Sequence, residues 1–537
     1  MKYFFWFFLF FIPFLCFAQH NIDPRVKDIV VNVNTISISG TANTLTDDLS
    51  LESMMQLANR LRQKYPAKMR FDQIQEISDT LTLHLRDAGY KFHYAYIPPQ
   101  KPHEGNITIF IAEIVLSDIS VMNDTFYSSD HIQKQFKTLL NEPLYQPRID
   151  RVLHSLKNIG SMNVFAYYSR GSKPNSVRLN LKVSASERWN MSVSFDNYGP
   201  VESGGERGLA QFTMNDPLNR FDRLGLGVLQ SYGEEKNQYG YLFYQTPIGN
   251  LHHELGLYLS NSAFEIGGEF ANLELEGEAS FEEVSYTNYV YYSQYTKHFF
   301  ELTYADKAND FSSVFESDDV EPDESTTVTG ISWNTQYSGK RSYHRFLGRW
   351  NSGDFSLNGY VDSETGDTTV FESDFDYFNL FYQYYRRFTL ASTAWALEGE
   401  LRAQASSNTR LPSFERMSLT GARGIRGFEA GQFSADDAVI SSFALHLPRY
   451  QFGGGETNKP FSINTQLFVE GATGAQFDLD GNEVNNAQFI GAGAELSVFW
   501  QQHLGLTVTY AFPVSSSSDL PIEFKEQPLT FSLTAKW

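Results

Sequence analysis

Cysteine is all but missing from this 537-residue chain, and the one present is Cys16. It lies inside an N-terminal apolar run, Phe4 to Phe17, preceded by Lys2 and followed by Ala18, Gln19 and His20. That layout is a secretory signal at 1–18, with Cys16 and Ala18 as the small residues before a cut after Ala18. Leu15 stands where a lipidated cysteine would need a small neighbour, which argues against a lipoprotein. The mature chain is then expected to hold no disulfide and no reactive thiol. Past residue 18 no apolar run approaches the ~20 residues of a membrane-crossing helix. Basic residues are few, 42 Lys+Arg against 63 Asp+Glu, for a formal charge of −21. Nucleic acid, which needs a basic face, is therefore excluded as a partner. Catalytic motifs are wanting too: there is no His-Glu-x-x-His, no Walker-type loop and no nucleophile–base set. Gly421–Gly427 is glycine-rich but does not open a helix after a strand, and Asp478-Leu479-Asp480-Gly481 lacks the closing ligands of a calcium loop. No enzyme activity, cofactor or metal is expected.

What the chain has in quantity is aromatic side chains, 45 Phe and 30 Tyr. A secreted, aromatic-rich chain without a membrane helix is either soluble or a barrel, and hydrophobic period decides between them. Residues 27–113 and 114–186 read as one pattern twice. The first copy has a strand at Ile29–Ser39, helices at Leu51–Gln63 and Phe71–Ala88, then strands Lys91–Ile97 and Asn106–Glu113. The second has a strand at Ile114–Val121, helices at Ser129–Leu140 and Pro147–Ile159, then strands Met162–Ser169 and Ser176–Ser184. Gly89 and Gly160 follow the second helix of each copy as helix-ending residues. Two β-α-α-β-β units of this size resemble POTRA domains; the alternative is one unrelated α+β domain.

From residue 187 to 537 the period is two. Trp189, Met191, Val193 and Phe195 alternate with Asn190, Ser192, Ser194 and Asp196, and Leu504, Leu506, Val508 and Tyr510 alternate with Gly505, Thr507 and Thr509. An apolar outer face and a polar inner face, repeated in about sixteen segments, predict a 16-stranded transmembrane antiparallel β-barrel. Alternate connections support it. The expected extracellular ones are long or acidic: 261–277, 305–325, 362–375, 407–437, 472–485 and 513–526. The periplasmic ones are mostly short, such as Pro217–Asp222 and Leu390–Ser392. A soluble sandwich would leave both the parity and the apolar outer face unexplained.

Several motifs then resemble the two-partner secretion transporters, the TpsB family that exports haemolysins and adhesins, over nearly the whole mature chain. Tyr96-Ile97-Pro98-Pro99-Gln100 is similar to the end of that family's first POTRA domain, Phe195-Asp196-Asn197-Tyr198-Gly199 to its first barrel strand, and Asn215-Asp216-Pro217-Leu218 with Asp222 to its first periplasmic turn. Phe531, Leu533 and the terminal Trp537 resemble the barrel assembly signal. Gly424-Ile425-Arg426-Gly427-Phe428 resembles the V-R-G-[FY] tip of an extracellular loop folded into the lumen. The resemblance implies that Arg426 pairs with an acidic residue in an F-x-D-x-G motif, here Phe468-Val469-Glu470-Gly471-Ala472, with Glu for Asp and the Gly shifted by one. Alternation puts Glu470 on the lumen side. Only Gln19 to about Val26 precedes the first strand, so the family's plug helix is expected to be absent.

The implied function is export of a large secreted client, a haemolysin or adhesin, from a Gram-negative outer membrane with the POTRA domains in the periplasm. Outer-membrane lipid, lipopolysaccharide and the barrel-assembly machinery are further implied partners. The alternatives are an assembly insertase of the BamA or TamA type, and a passive porin.

Overall fold

The computed structural model describes residues 29–40, 49–159, 162–185, 187–232, 237–266, 275–312, 323–361, 368–454, 460–479, 481–501, 503–519 and 523–537. The signal segment, the stretch 19–28 and the pair Gly160-Ser161 lie outside them. The chain divides into two compact units, one holding the first α+β module with parts of the second, the other the rest of the second with the entire barrel.

The first module contains β1 (Val30–Asn32), β2 (Thr35–Gly40), α1 (Leu51–Arg62), β3 (Lys68–Arg70), α2 (Phe71–Asp87), β4 (Tyr94–Tyr96) and β5 (Asn106–Ala112). α1 starts because the Ser50 hydroxyl accepts the Ser53 N–H at 3.1 Å, meeting a donor that the first turn leaves unpaired. α2 buries Ile74, Ile77, Leu81 and Leu85, the stripe its sequence period dictates. It ends at Gly89, whose φ of 103° a side chain would resist. The expected single strand 29–39 is in fact two. Asn34 donates its N–H to Gly105 O at 2.6 Å, and the break sends β1 to pair with β3 while β2 joins a separate sheet in the order β2-β5-β4.

The second module contains β6 (Val115–Asn123), α3 (Ser129–Lys134), α4 (Gln146–Asn158), β7 (Met162–Arg170) and β8 (Ser176–Ala185), with sheet order β6-β8-β7. The helix expected to reach Leu140 stops at Lys134, followed by a 3-10 turn at Lys137–Leu139. Asn141 N–H is drawn to Leu116 O at 2.7 Å and Leu144 N–H to Ile114 O at 2.8 Å; these tertiary bonds outweigh continuation of a short helix.

The barrel begins with β9 (Trp189–Asp196), β10 (Glu206–Asn215), β11 (Arg223–Tyr232), β12 (Asn237–Ile248), β13 (Asn250–Ile266) and β14 (Leu275–Tyr292). It continues through β15 (Thr296–Ser312), β16 (Asp323–Ser338), β17 (Ser342–Val361), β18 (Thr368–Leu390) and β19 (Thr393–Ala405). Three two-residue strands follow, β20 (Met417–Ser418), β21 (Gly427–Phe428) and β22 (Ser434–Ala435). The wall resumes with β23 (Asp437–His446), the short β24 (Tyr450–Phe452), β25 (Phe461–Phe477), β26 (Glu483–Trp500) and β27 (Leu504–Ser518). β28 (Glu526–Gln527) and β29 (Leu529–Lys536) end the chain. Sixteen antiparallel strands close the cylinder, β24 pairing with β25 beyond β23, and β29 sealing on β9 from Ser532↔Asp196 to Lys536↔Ser192.

No described helix is long and apolar enough to cross a membrane; the strands do the crossing, with every ladder bond made inside the wall. Met191, Phe195, Leu226, Val228, Leu467 and Val469 are exposed on the outside, where lipid replaces water. Trp189, Trp500 and Trp537 are exposed at the periplasmic strand ends, the level where amphipathic rings sit at a membrane interface. Several expected extracellular loops are shorter than the sequence indicated: β13 runs to Ile266, β15 to Ser312 and β18 begins at Thr368. Above the bilayer water wets both faces, so alternation stops marking the strand while the backbone ladder continues.

Candidate functional site: a loop packed inside the barrel

Between β19 and β23 the chain spends residues 406–436 inside the cylinder. The segment carries its own apolar core. Leu419, Ile425, Phe428, Phe433 and Ala435 are buried with Ala438, Ile440, Ala472, Ala487 and Phe489 of the wall. Phe428 meets Phe489 edge-on at 5.1 Å between ring centres, and Phe489 meets Phe524 at 4.7 Å.

Arg426 is the loop's charged tip. Its Nε and Nη2 donate to Glu470 Oε1 at 2.9 and 2.6 Å, while its backbone N–H donates to Glu470 Oε2 at 3.0 Å. The guanidinium therefore forks onto one carboxylate oxygen and leaves the other for the peptide, rather than spanning both as a bidentate pair does. Nη1 reaches Glu495 Oε2 at 3.2 Å. The guanidinium carbon stands 3.4 Å from the Phe468 ring centre, a cation–π contact. Arg426 and Glu470 are 16% and 6% exposed, so their attraction is poorly screened. Ser442 Oγ adds a bond to Glu470 Oε1 at 3.3 Å.

Two glycines allow this approach. Gly427 has φ 99°, and a Cβ there would press on the Phe512 and Pro513 backbone. Gly491 lies directly opposite Glu470, and a Cβ on it would strike Arg426 O and the Ile425 side chain. The tip continues as β21, which pairs with β28 through Gly427↔Gln527 and Phe428↔Glu526. Gln527 Nε2 donates to Asn197 O, and Asn197 Oδ1 accepts the Phe531 N–H at 2.8 Å. The loop tip, the last loop and the first strand are thus stitched together.

The loop base has a second anchor. Glu415 is 7% exposed and is held by Lys307 Nζ of β15 and Tyr377 Oη of β18. Gln404 Nε2 donates to Glu415 O at 2.9 Å. Asp436, fully buried, takes Arg416 Nε at 3.0 Å and the N–H groups of Leu411 and Phe477 at 2.9 and 2.8 Å. Ser413 donates twice to Glu324 Oε1, each at 2.9 Å.

Of the residues singled out from sequence, Ile425, Arg426, Gly427, Phe428, Phe468 and Glu470 are brought together in one place. Phe531, Leu533 and Trp537 stand apart on the outer seam, where Trp537 and Met191 exchange backbone bonds at 2.9 and 3.1 Å. Sequence reading missed Glu495, Ser442, Gly491 and the Glu415 anchor. A signal for two of these was present. Gly491-Ala492-Gly493-Ala494-Glu495 puts small residues and one lone carboxylate on the inner face of a strand, which is what something packed against that face requires. In the periplasmic turn, Asp216 Oδ1 accepts the Phe221 N–H at 2.7 Å, and Asp222 accepts Tyr244 Oη at 2.8 Å. Burial pushes the Asp216 carboxyl above its ordinary value, opposed by that hydrogen bond.

Comparison with known proteins gives the family and the fold. Residues 175–497 match the family "Haemolysin secretion/activation protein ShlB/FhaC/HecB". The heme/hemopexin transporter protein HuxB of Haemophilus influenzae (strain 86-028NP) is 20% identical over 482 residues, covering 86% of this chain and 81% of that one. In fold the chain is similar to CdiB from Escherichia coli, with a TM-score of 0.73, 14% identity and coverage of 97% of this chain and 94% of that. CdiB from Acinetobacter baumannii gives a TM-score of 0.68 at 16% identity, over 95% and 90%. A closed barrel preceded by two α+β modules and holding an inward-folded Arg loop, matched to this family over more than half its length, belongs to the haemolysin secretion/activation proteins, the outer-membrane transporters of two-partner secretion.

Proposed function

We propose that this chain conducts one large secreted partner through the barrel lumen, with residues 406–436 as the gate and the Arg426–Glu470 pair as its latch. The periplasm supplies no ATP, so the client's own binding and its folding outside the cell must bias the movement. The domain limits 27–113, 114–186 and 187–537 frame the reading: two periplasmic modules receive an extended client segment, and the barrel passes it on. Strand addition at a module's sheet edge is the mode such a segment would use. The chemistry is transport rather than catalysis. Lipopolysaccharide around the acidic outer loops and the assembly machinery acting on Phe531, Leu533 and Trp537 complete the partner set.

The observation that carries the reading is the loop's dual character. It is folded and anchored, yet its tip is held by side-chain bonds and a two-residue strand, which can release without opening the cylinder. The relatives named for heme and hemopexin bring a protein that captures those molecules into the client classes. The test is deletion of the gene followed by comparison of secreted and outer-membrane proteins. Loss of one large secreted protein supports the reading. Broad loss of barrels would make the chain an insertase, and loss of a solute flux alone would make it a porin.

A further inference from the structure

The inner wall has a side that the loop does not hold. The loop's polar contacts described above fall on β15, β16, β18, β19, β23, β25, β26 and β28. On β12 to β14 the inward side chains include a contiguous aromatic patch. Tyr239, Tyr241, Phe243, Tyr258 and Phe281 share the inner face by register, through Gly227↔Tyr241, Phe243↔Tyr258, Tyr241↔Ser260 and Ser260↔Phe281. Their rings adjoin, with centres 6.0 Å apart for Tyr239–Tyr241, 5.9 Å for Tyr241–Tyr258 and 5.6 Å for Tyr258–Phe281. Tyr241 and Phe243 stack with planes 8° apart. All five are half-buried. Gly225 and Gly227 make room: a Cβ on either would collide with the Phe243 or Tyr241 ring. The Tyr241 and Phe243 rings therefore lie along the wall and present their faces to the lumen, while Phe281 meets Tyr258 edge-on.

Toward the periplasm the surface changes twice. A carboxylate belt comes first, Glu283 opposite Tyr258, then Glu254 and Glu301 flanking Thr287. A second aromatic pair follows, Tyr289 and Phe299, 5.3 Å between centres, with Lys297 Nζ 4.8 and 5.1 Å from those rings. Tyr239 is level with Ser262 and hence Ala279, and Tyr289 lies ten residues farther along β14. At ~3.3 Å per residue the track is roughly 33 Å long.

A water-filled barrel is expected to be polar inside, so a contiguous apolar patch there marks a contact surface. Aromatic faces offer rigid contact area at little entropic cost and accept many side chains. A small solute has no use for such a length. An extended polypeptide does, because each segment can pass from ring to ring without a deep pocket in which to lodge. The belt of glutamates would favour neutral and cationic segments and disfavour acidic ones. We propose that this wall is the track along which the unfolded client slides, with Tyr241, Phe243 and Tyr258 as its contact residues. The proposal rests on the transport reading above and adds to it a path.

The test places a photoreactive benzoyl-phenylalanine at Tyr241, Tyr258 or, as the control, Leu242. Leu242 neighbours Tyr241 on β12 and faces outward by the same register. The client probed is the secreted protein whose presence in the medium depends on this chain. Irradiation during export should give client adducts at 241 and 258 at least tenfold above those at 242. A Tyr241→Ser/Tyr258→Ser barrel should cut secretion several-fold, while Tyr241→Phe/Tyr258→Phe should restore it, at equal levels of heat-modifiable barrel. Secretion without adducts at 241 and 258, or with equal adducts at 242, overturns the track, and if the serine barrel fails to assemble the adducts alone decide. Absence of any chain-dependent secreted protein removes the transport reading itself.

Discussion

Replacing Arg426 with alanine isolates the latch. The substitution removes three side-chain bonds, to Glu470 at 2.9 and 2.6 Å and to Glu495 at 3.2 Å, along with the ring contact on Phe468. It leaves Glu470, 6% exposed, as a carboxylate without its cation. Breaking a buried pair from one side costs about 3–5 kcal/mol. The lower end applies here. Glu470 keeps the residue-426 N–H and Ser442 Oγ, and Glu495 is 24% exposed and keeps Thr509 Oγ. About 3 kcal/mol shifts the balance between seated and displaced loop roughly a hundredfold toward displaced. The apolar core around Leu419, Ile425 and Phe433 is untouched, so the barrel should still assemble and show heat-modifiable migration. Single-channel recording in planar bilayers should show the open-time fraction rising by about two orders of magnitude. Export should fall, because the gate no longer answers to the client. Adding Glu470→Gln should recover part of the closed state, since the stranded charge is then gone. Unchanged conductance together with normal secretion from the assembled Arg426→Ala barrel would refute the latch.

Further expectations follow from other residues. Glu415→Gln weakens the Lys307 anchor at the loop base; the loop segment 411–416 should gain hydrogen exchange while the Arg426 contacts persist, and equal exchange would show the anchor to be idle. Trp537→Ala removes an exposed interfacial ring but keeps the backbone bonds to Met191; barrel yield in the outer membrane should drop while the stability of assembled barrels changes little, as measured by urea-gradient migration. His93 is fully buried, and neither ring nitrogen has a hydrogen-bond partner among the described residues. Burial pushes its imidazole from 6.5 down to about 4. Between those values only the unfolded module takes the proton, so first-module stability is full above about pH 6.5 and declines toward pH 4, by about 3 kcal/mol. Protease resistance of residues 49–112 in the detergent-solubilised chain should follow that curve and flatten in His93→Phe.

Much of the fold was legible because lipid imposes a strict period. The alternation from Trp189 to Asp196 coincides with β9, and that from Leu504 to Tyr510 opens β27. Legibility failed where that constraint lapses. Above the bilayer, water on both faces hides the upper ends of β13, β15 and β18. In the modules, the break at Asn34 and the stop after Lys134 depend on partners distant in sequence, Gly105 and Leu116. The tip residues Arg426 and Glu470 could be named from a motif resemblance, but the fork onto one oxygen could not. It depends on the Arg426 peptide N–H being brought to Glu470 Oε2, which only the folded loop sets. The Glu415 anchor joins residues 108 apart in sequence to Lys307 and leaves no local signature.

The claim that the client moves through a lumen gated by residues 406–436 is tested most directly by locking the gate. Phe428 and Glu526 are directly opposed in the β21–β28 pair, a separation suited to a disulfide. The chain's one cysteine is Cys16, within the expected signal segment, so Phe428→Cys/Glu526→Cys introduces one clean cross-link. Secretion should stop in the oxidised barrel and resume in the same barrel after reduction. Equal secretion in both states would contradict a gated path through the barrel.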